Sequence, residues 1–92
     1  MVTDQSIYGK VPPQAIELEE AVLGALILEN EAYDKISDIL SVKSFYKSEH
    51  QIIFNEIEIL HKADKRTDMM IISNELRNKN LIDTVGGVLF LL

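Results

Sequence analysis

Ninety-two residues give one small domain with room for a single modest core. At 47% hydrophobic and 26% charged, the chain falls in the soluble globular class and outside the disordered one. The absence of cysteine excludes a disulfide framework and a thiolate metal site. No apolar run approaches the roughly 20 residues a bilayer span needs, and no secretory signal opens the chain, so a cytoplasmic protein without membrane contact is expected.

The net charge of −6 is unevenly placed. Residues 1–42 hold eight acids against two lysines, whereas residues 43–92 are balanced. An acidic half beside a neutral half weighs against a grip on nucleic acid, and an acidic face ordinarily just keeps a domain soluble.

Residues 1–11 mix polar groups with a glycine and show no periodicity, which predicts a flexible leader. Pro12-Pro13 ends that extended segment, and Pro13 suits a first helical turn, where its missing N–H has no partner to lose. Glu17, Glu19 and Glu20 then fall in the opening turns of a helix running to about Leu28, where the dipole favours acids. Ala15, Leu18, Ala21, Val22, Ala25 and Leu26 form its apolar stripe; Leu23, Ile27 and Leu28 widen it nearly all round, so the helix must be covered on several sides. Gly24 in mid-helix is expected to admit another helix at close range.

Asn30-Glu31 reads as a turn before a short helix over about Ala32–Leu40, with Tyr33, Ile36, Ile39 and Leu40 inward. Ser41–Ser44 connects to Phe45-Tyr46, which packs ahead of the central helix. That helix is predicted from Ser48, with Ser48 as N-cap and Gln51 completing a capping box. Ile53, Phe54, Ile57, Leu60 and His61 recur at helical spacing as its buried stripe, leaving Glu56 and Glu58 towards solvent. His61, Lys62 and Lys65 suit its C-terminal end.

A polar loop over Asp64–Thr67 leads to Asp68 as cap of a fourth helix, about Met69–Asn78, with Met69, Ile72, Leu76 and Ile71 inside. The methionine pair is expected to fill gaps in the core. Asn80–Thr84 forms a turn, and Asp83 or Thr84 caps a last helix opening at Val85-Gly86-Gly87. Its final run, Val88–Leu92, has no polar face. Five bare apolar residues imply a covering element further along a longer protein, and mark Leu89, Phe90, Leu91 and Leu92 as candidate interaction residues. The fold expected is all-α, about five short helices around a central one.

Groups for chemistry are sparse. No phosphate-binding glycine loop with a following lysine occurs, and no nucleophile with a recognisable base signature. His50 and His61 lie eleven residues apart on one helix, about 16 Å, too far to share a metal. Glu58-x-x-His61 has the spacing of one di-iron ligand pair, but that architecture needs a second pair and two further glutamates. No catalytic, metal or cofactor residue is therefore assigned.

Taken in order, these segments resemble the N-terminal domain of the bacterial replicative DNA helicase, the DnaB family. The residues that carry the resemblance are Pro12-Pro13 with Glu17 to Glu20 and Ala21-Val22-Leu23-Gly24; Phe45-Tyr46 with His50 and Ile53-Phe54; Thr67-Asp68 before a helix containing Leu76; and Val85-Gly86-Gly87 with Phe90-Leu91. The loop Ala63–Arg66 lacks the glycine expected there, and Phe90 stands where the family commonly has tyrosine. The resemblance implies that residues 12–92 are a collar domain of a ring hexamer, ending before a helical hairpin. It also implies neighbouring helicase subunits and a primase as partners, and ATP with Mg²⁺ only in a motor domain absent from this chain; from the acidity, no direct nucleic-acid contact is expected. Without the hairpin, the piece should be largely monomeric or self-associate weakly.

Two other classes compete. A small helical DNA-binding regulator would need an exposed basic or amide cluster, and only Arg77, Asn78, Lys79 and Asn80 group that way. A helical enzyme would need a base, nucleophile or metal set that the sequence does not offer.

Overall fold

The computed structural model describes residues 13–92, so the predicted leader and Pro12 lie outside the described residues. Five α-helices and one 3₁₀ turn follow in order, and no strand occurs among the described residues: α1 (Pro13–Leu28), α2 (Ala32–Ile36), a 3₁₀ turn (Val42–Ser44), α3 (Ser48–Lys62), α4 (Met69–Asn78) and α5 (Ile82–Leu89). The all-α expectation holds.

Helix α3 is the axis of the domain, packed against α1, the 3₁₀ turn, α4 and α5. Ile53, Phe54, Ile57 and Leu60 are buried as the periodicity predicts, and His61 stacks on Tyr33 with ring centroids 4.3 Å apart. Leu23 and Leu26 of α1, Ile72 and Leu76 of α4, and Val85 and Leu89 of α5 close around them.

Several local expectations change. Helix α1 buries Leu23 and Leu26, with Val22 and Ile27 half-covered, while Leu18, Ala21 and Ala25 face outward. A helix apolar on nearly every side leaves its own rotation undetermined by sequence, so the core had to choose the face. Its first turn contains no acid; Glu19 instead reaches across to α3. Gly24 is not a close-approach site, because a Cβ there would meet only the Leu92 carbonyl oxygen at 4.0 Å, an ordinary contact. Helix α2 ends at Ile36, which leaves Ile39 exposed. Helix α5 begins at Ile82, three residues before the predicted start, without a side-chain cap.

Helices α3 and α4 end in the same way. Asp64 and Asn80 have φ of 59° and 60°, the left-handed conformation of a helix C-terminal stop. Lys65 N–H donates to Leu60 O and Asp64 N–H to His61 O; Leu81 N–H donates to Leu76 O and Asn80 N–H to Arg77 O. Both sets form the paired 6→1 and 5→2 bonds that close a helix. Asp64 thus occupies the position where the loop was expected to carry glycine. Asp64→Gly should raise stability by roughly 0.5–1 kcal/mol, the side-chain strain of φ > 0 less glycine's extra backbone entropy. The urea midpoint of the variant checks this, and a lower midpoint than the parent refutes it.

Asp68 caps α4 as expected, its Oδ1 accepting Ile71 N–H at 3.0 Å. The loop before it is pinned by Asn30, just past α1, and by the Leu26 carbonyl of α1. Asn30 Oδ1 accepts Thr67 N–H at 2.8 Å, and Thr67 Oγ1 lies 2.9 Å from the same oxygen and 3.3 Å from Leu26 O. Thr67 is buried there.

Candidate interaction surface

The four residues singled out at the end of the chain part company. Leu89 is fully buried in the core, so it cannot contribute to an exposed surface; Phe90 and Leu91 are 71% and 73% exposed, and Leu92 is half-covered. Helix α5 turns one face of the apolar run inward and leaves the next two residues outside.

Around them lies more apolar surface than the sequence suggested. One groove of about 500 Å³ is lined by Gly24, Ile27, Leu28, Met69 and Leu92, with Arg66 and Asp68 at its edge. A second of about 520 Å³ runs past Met69, Met70 and Phe90, with Asn74 and Arg77 beside it. Met69 is common to both, so they adjoin. Met70 is largely exposed and is not the core filler expected, and Leu28 also faces outward. The face exposes apolar side chains bordered by Arg66, Asp68, Ser73, Asn74 and Arg77.

Elsewhere the chemistry-bearing side chains are committed to structure. The Ser73 hydroxyl donates to Met69 O and the Ser37 hydroxyl lies near Asp34 O. Tyr33 OH donates to Glu58 at 3.3 Å; burial first, and then the Glu58 charge, push that phenol above its ordinary pKa. The Glu58-x-x-His61 spacing therefore serves a contact with α2. Among the described residues no group of three or more His, Cys, Asp or Glu could hold a metal ion.

Two carboxylates carry polar ties that the sequence did not reveal. Glu56, expected in solvent, is 2% exposed and pairs with Lys79 Nζ at 2.7 Å. That removes Lys79 from the basic cluster a DNA-binding regulator would need, while Arg77 donates to Asn74. Glu19 of α1 accepts from Tyr46 N–H at 2.6 Å, from His50 Nδ1 at 2.7 Å and from Lys47 N–H at 3.4 Å. The predicted Ser48–Gln51 capping box is not formed. Lys47 is the N-cap, Ser48 Oγ donates to Glu49, and Gln51 Nε2 donates to Phe45 O.

Burial pushes the Glu19 carboxyl up, but the bonds from Tyr46, His50 and Lys47 outweigh it and hold the group below its usual value. A carboxylate lowered on folding stabilises the fold above its unfolded pKa, near 4.3, and loses that contribution as pH falls through the folded value. Unfolding in urea should therefore show an acid-side loss of stability below about pH 4.5 that is smaller in Glu19→Gln. Parallel pH profiles for parent and variant would contradict this.

The fold and its surfaces now stand beside known proteins. The profile of the DnaB-like helicase N terminal domain matches residues 11–92. The chain is 40% identical over 83 residues to a replicative DNA helicase DnaB of Rhodothermus marinus, covering 90% of this chain and 9% of the relative. It is 40% identical over 83 residues to that of Treponema pallidum, covering 90% and 19%. To the replicative DNA helicase DnaC of Bacillus subtilis it is 38% identical over 85 residues, covering 92% and 19%. The chain thus spans less than a fifth of these relatives, and within that span it belongs to the DnaB-like helicase N-terminal domain family.

Proposed function

We propose that this chain is the non-catalytic N-terminal domain of a hexameric replicative DNA helicase, serving ring assembly and primase docking in the cytoplasm. The observation that carries the reading is the match to replicative helicases over nine-tenths of the chain. The use of Tyr33, His50, His61, Ser73 and Thr67 in packing and hydrogen bonding supports a scaffold role. ATP and Mg²⁺ would act in a motor domain outside these residues. The apolar face formed by Leu28, Met69, Met70, Phe90 and Leu92 is the contact surface of choice, since burial of such side chains drives most association.

The test uses the full-length helicase and a version lacking residues 1–92, each titrated with the helicase-binding domain of the primase. Loss of binding on deletion is expected; unchanged affinity counts against docking through this region. The 92-residue chain alone should sediment largely as a monomer, and a tight dimer at low micromolar concentration would contradict that. The regulator reading predicts salt-sensitive duplex binding by the same chain in a mobility-shift assay.

A further inference from the structure

Helix α3 lacks a side-chain cap of its own, yet its entry is tied down from 27 to 31 residues away. In a capping box, the third helical residue reaches back to the N-cap amide. Here that third residue is His50, and Glu19 of α1 supplies the acceptor instead, taking Lys47 N–H, Tyr46 N–H and His50 Nδ1 together. Because an ionised carboxylate only accepts, Nδ1 must carry a proton. The other ring nitrogen, Nε2, is buried without a partner, and the ring is 0% exposed.

The same carboxylate ties the first half of α1 to the entry of α3. Its core anchors begin only at Leu23; Glu17 and Leu18 are exposed, and Ala15, Ile16, Glu20 and Val22 are half-covered. Leu18, Glu19 and Val22 border a small apolar pocket of about 120 Å³ with Leu40 and Phe45. The Glu19 side chain is 13% exposed, so water can reach the bonds it makes. Lys47, the N-cap of α3, and Glu49 in its first turn are charged neighbours.

We propose that Glu19 and His50 form a latch: when it opens, the first half of α1 swings away from the entry of α3, withdrawing its carboxylate from Tyr46 and Lys47 and baring His50 before the domain unfolds, while Gln51 Nε2 on Phe45 O and the Phe45 ring on Phe54 keep Phe45 seated. Segments with few buried contacts open at lower free energy than the core, as cooperative units. One carboxylate shared by three donors makes this opening concerted, because a single motion takes the same acceptor from Tyr46 N–H, Lys47 N–H and His50 Nδ1.

Native-state hydrogen exchange on the 92-residue chain, followed by NMR across low urea, tests the latch. Amides of α1 before Leu23 and those of Tyr46 and Lys47 should share one opening with a smaller urea slope than Ile57 and Leu60. Glu19→Gln should speed their exchange about ten- to a hundredfold, the range of a charge-assisted hydrogen bond. His50→Asn, which keeps a donor near the Nδ1 position, should retain more of the protection at Tyr46 and Lys47 than His50→Leu. Imidazole nitrogen shifts should show Nδ1 protonated. The latch is refuted if these amides open only with Ile57 and Leu60, if they fray singly with unrelated protection, if Glu19→Gln leaves their exchange unchanged, or if His50 carries its proton on Nε2 alone.

Discussion

Phe54→Ala should destabilise the domain by about 3–5 kcal/mol, a large share of the roughly 5–15 kcal/mol that holds a domain folded. Phe54 is fully buried on α3, and its ring meets Phe45 at 4.9 Å and Tyr33 at 6.3 Å between centroids. Removing it empties a site bordered by α2, α3 and the segment that precedes α3. Those walls are held by Gln51 on Phe45 O and by Tyr33 on Glu58, so collapse into the void is restrained. The cost then lies at the upper end, transfer plus cavity. A domain this small has little stability to lose. Urea unfolding followed by far-ultraviolet circular dichroism measures it, and a loss under about 1 kcal/mol would mean that α3 is not the axis of the core.

That axis was legible because α3 is amphipathic over its whole length, so one rotation alone buries Ile53, Phe54, Ile57 and Leu60. Asp68 was legible for a similarly local reason, a capping carboxylate just before an apolar period. Helix α1 was legible as a helix but not in its rotation: with leucine or isoleucine on nearly every side, the pattern could not say that Leu23 goes in and Leu18 stays out. The run ending the chain failed in the same way, and only the packing of α5 separates buried Leu89 from exposed Phe90 and Leu91.

The long-range polar ties were out of reach for a different reason. Glu19 finds its donors 27 to 31 residues on, and Asn30 clamps Thr67 across 37, so no window of sequence contains both partners. A glutamate off the apolar stripe reads as solvent-facing by default. Glu56 defeats that rule because α3 is enclosed by helices on several sides, and a lysine at the end of α4 supplies the compensating charge. Of the apolar run ending the chain, Phe90 and Leu91 are exposed, whereas the neighbourhoods of Met70 with Phe90 and of Leu28 with Leu92 arise only through the fold.

Lys79→Met should cost about 2–4 kcal/mol, whereas Glu56→Leu should cost much less, although both break the same 2.7 Å pair. The asymmetry follows from where each survivor can go. Glu56 is 2% exposed and its Oε2 already lacks a partner, so without Lys79 its carboxyl group stays in the interior with neither oxygen compensated. Lys79 sits at the C-cap of α4 with its side chain 39% exposed, so without Glu56 its ammonium can swing into water while the stem stays packed. Loss of the lysine's favourable interaction with the α4 dipole adds only a few tenths of a kcal/mol. Combining the two changes should recover most of what Lys79→Met loses, because an apolar pair of similar size replaces the buried charge. The double-mutant cycle, read from urea midpoints at neutral pH, isolates the coupling. A Lys79→Met variant within about 0.5 kcal/mol of the parent would show that Glu56 reaches solvent and that α3 is open on its α4 side.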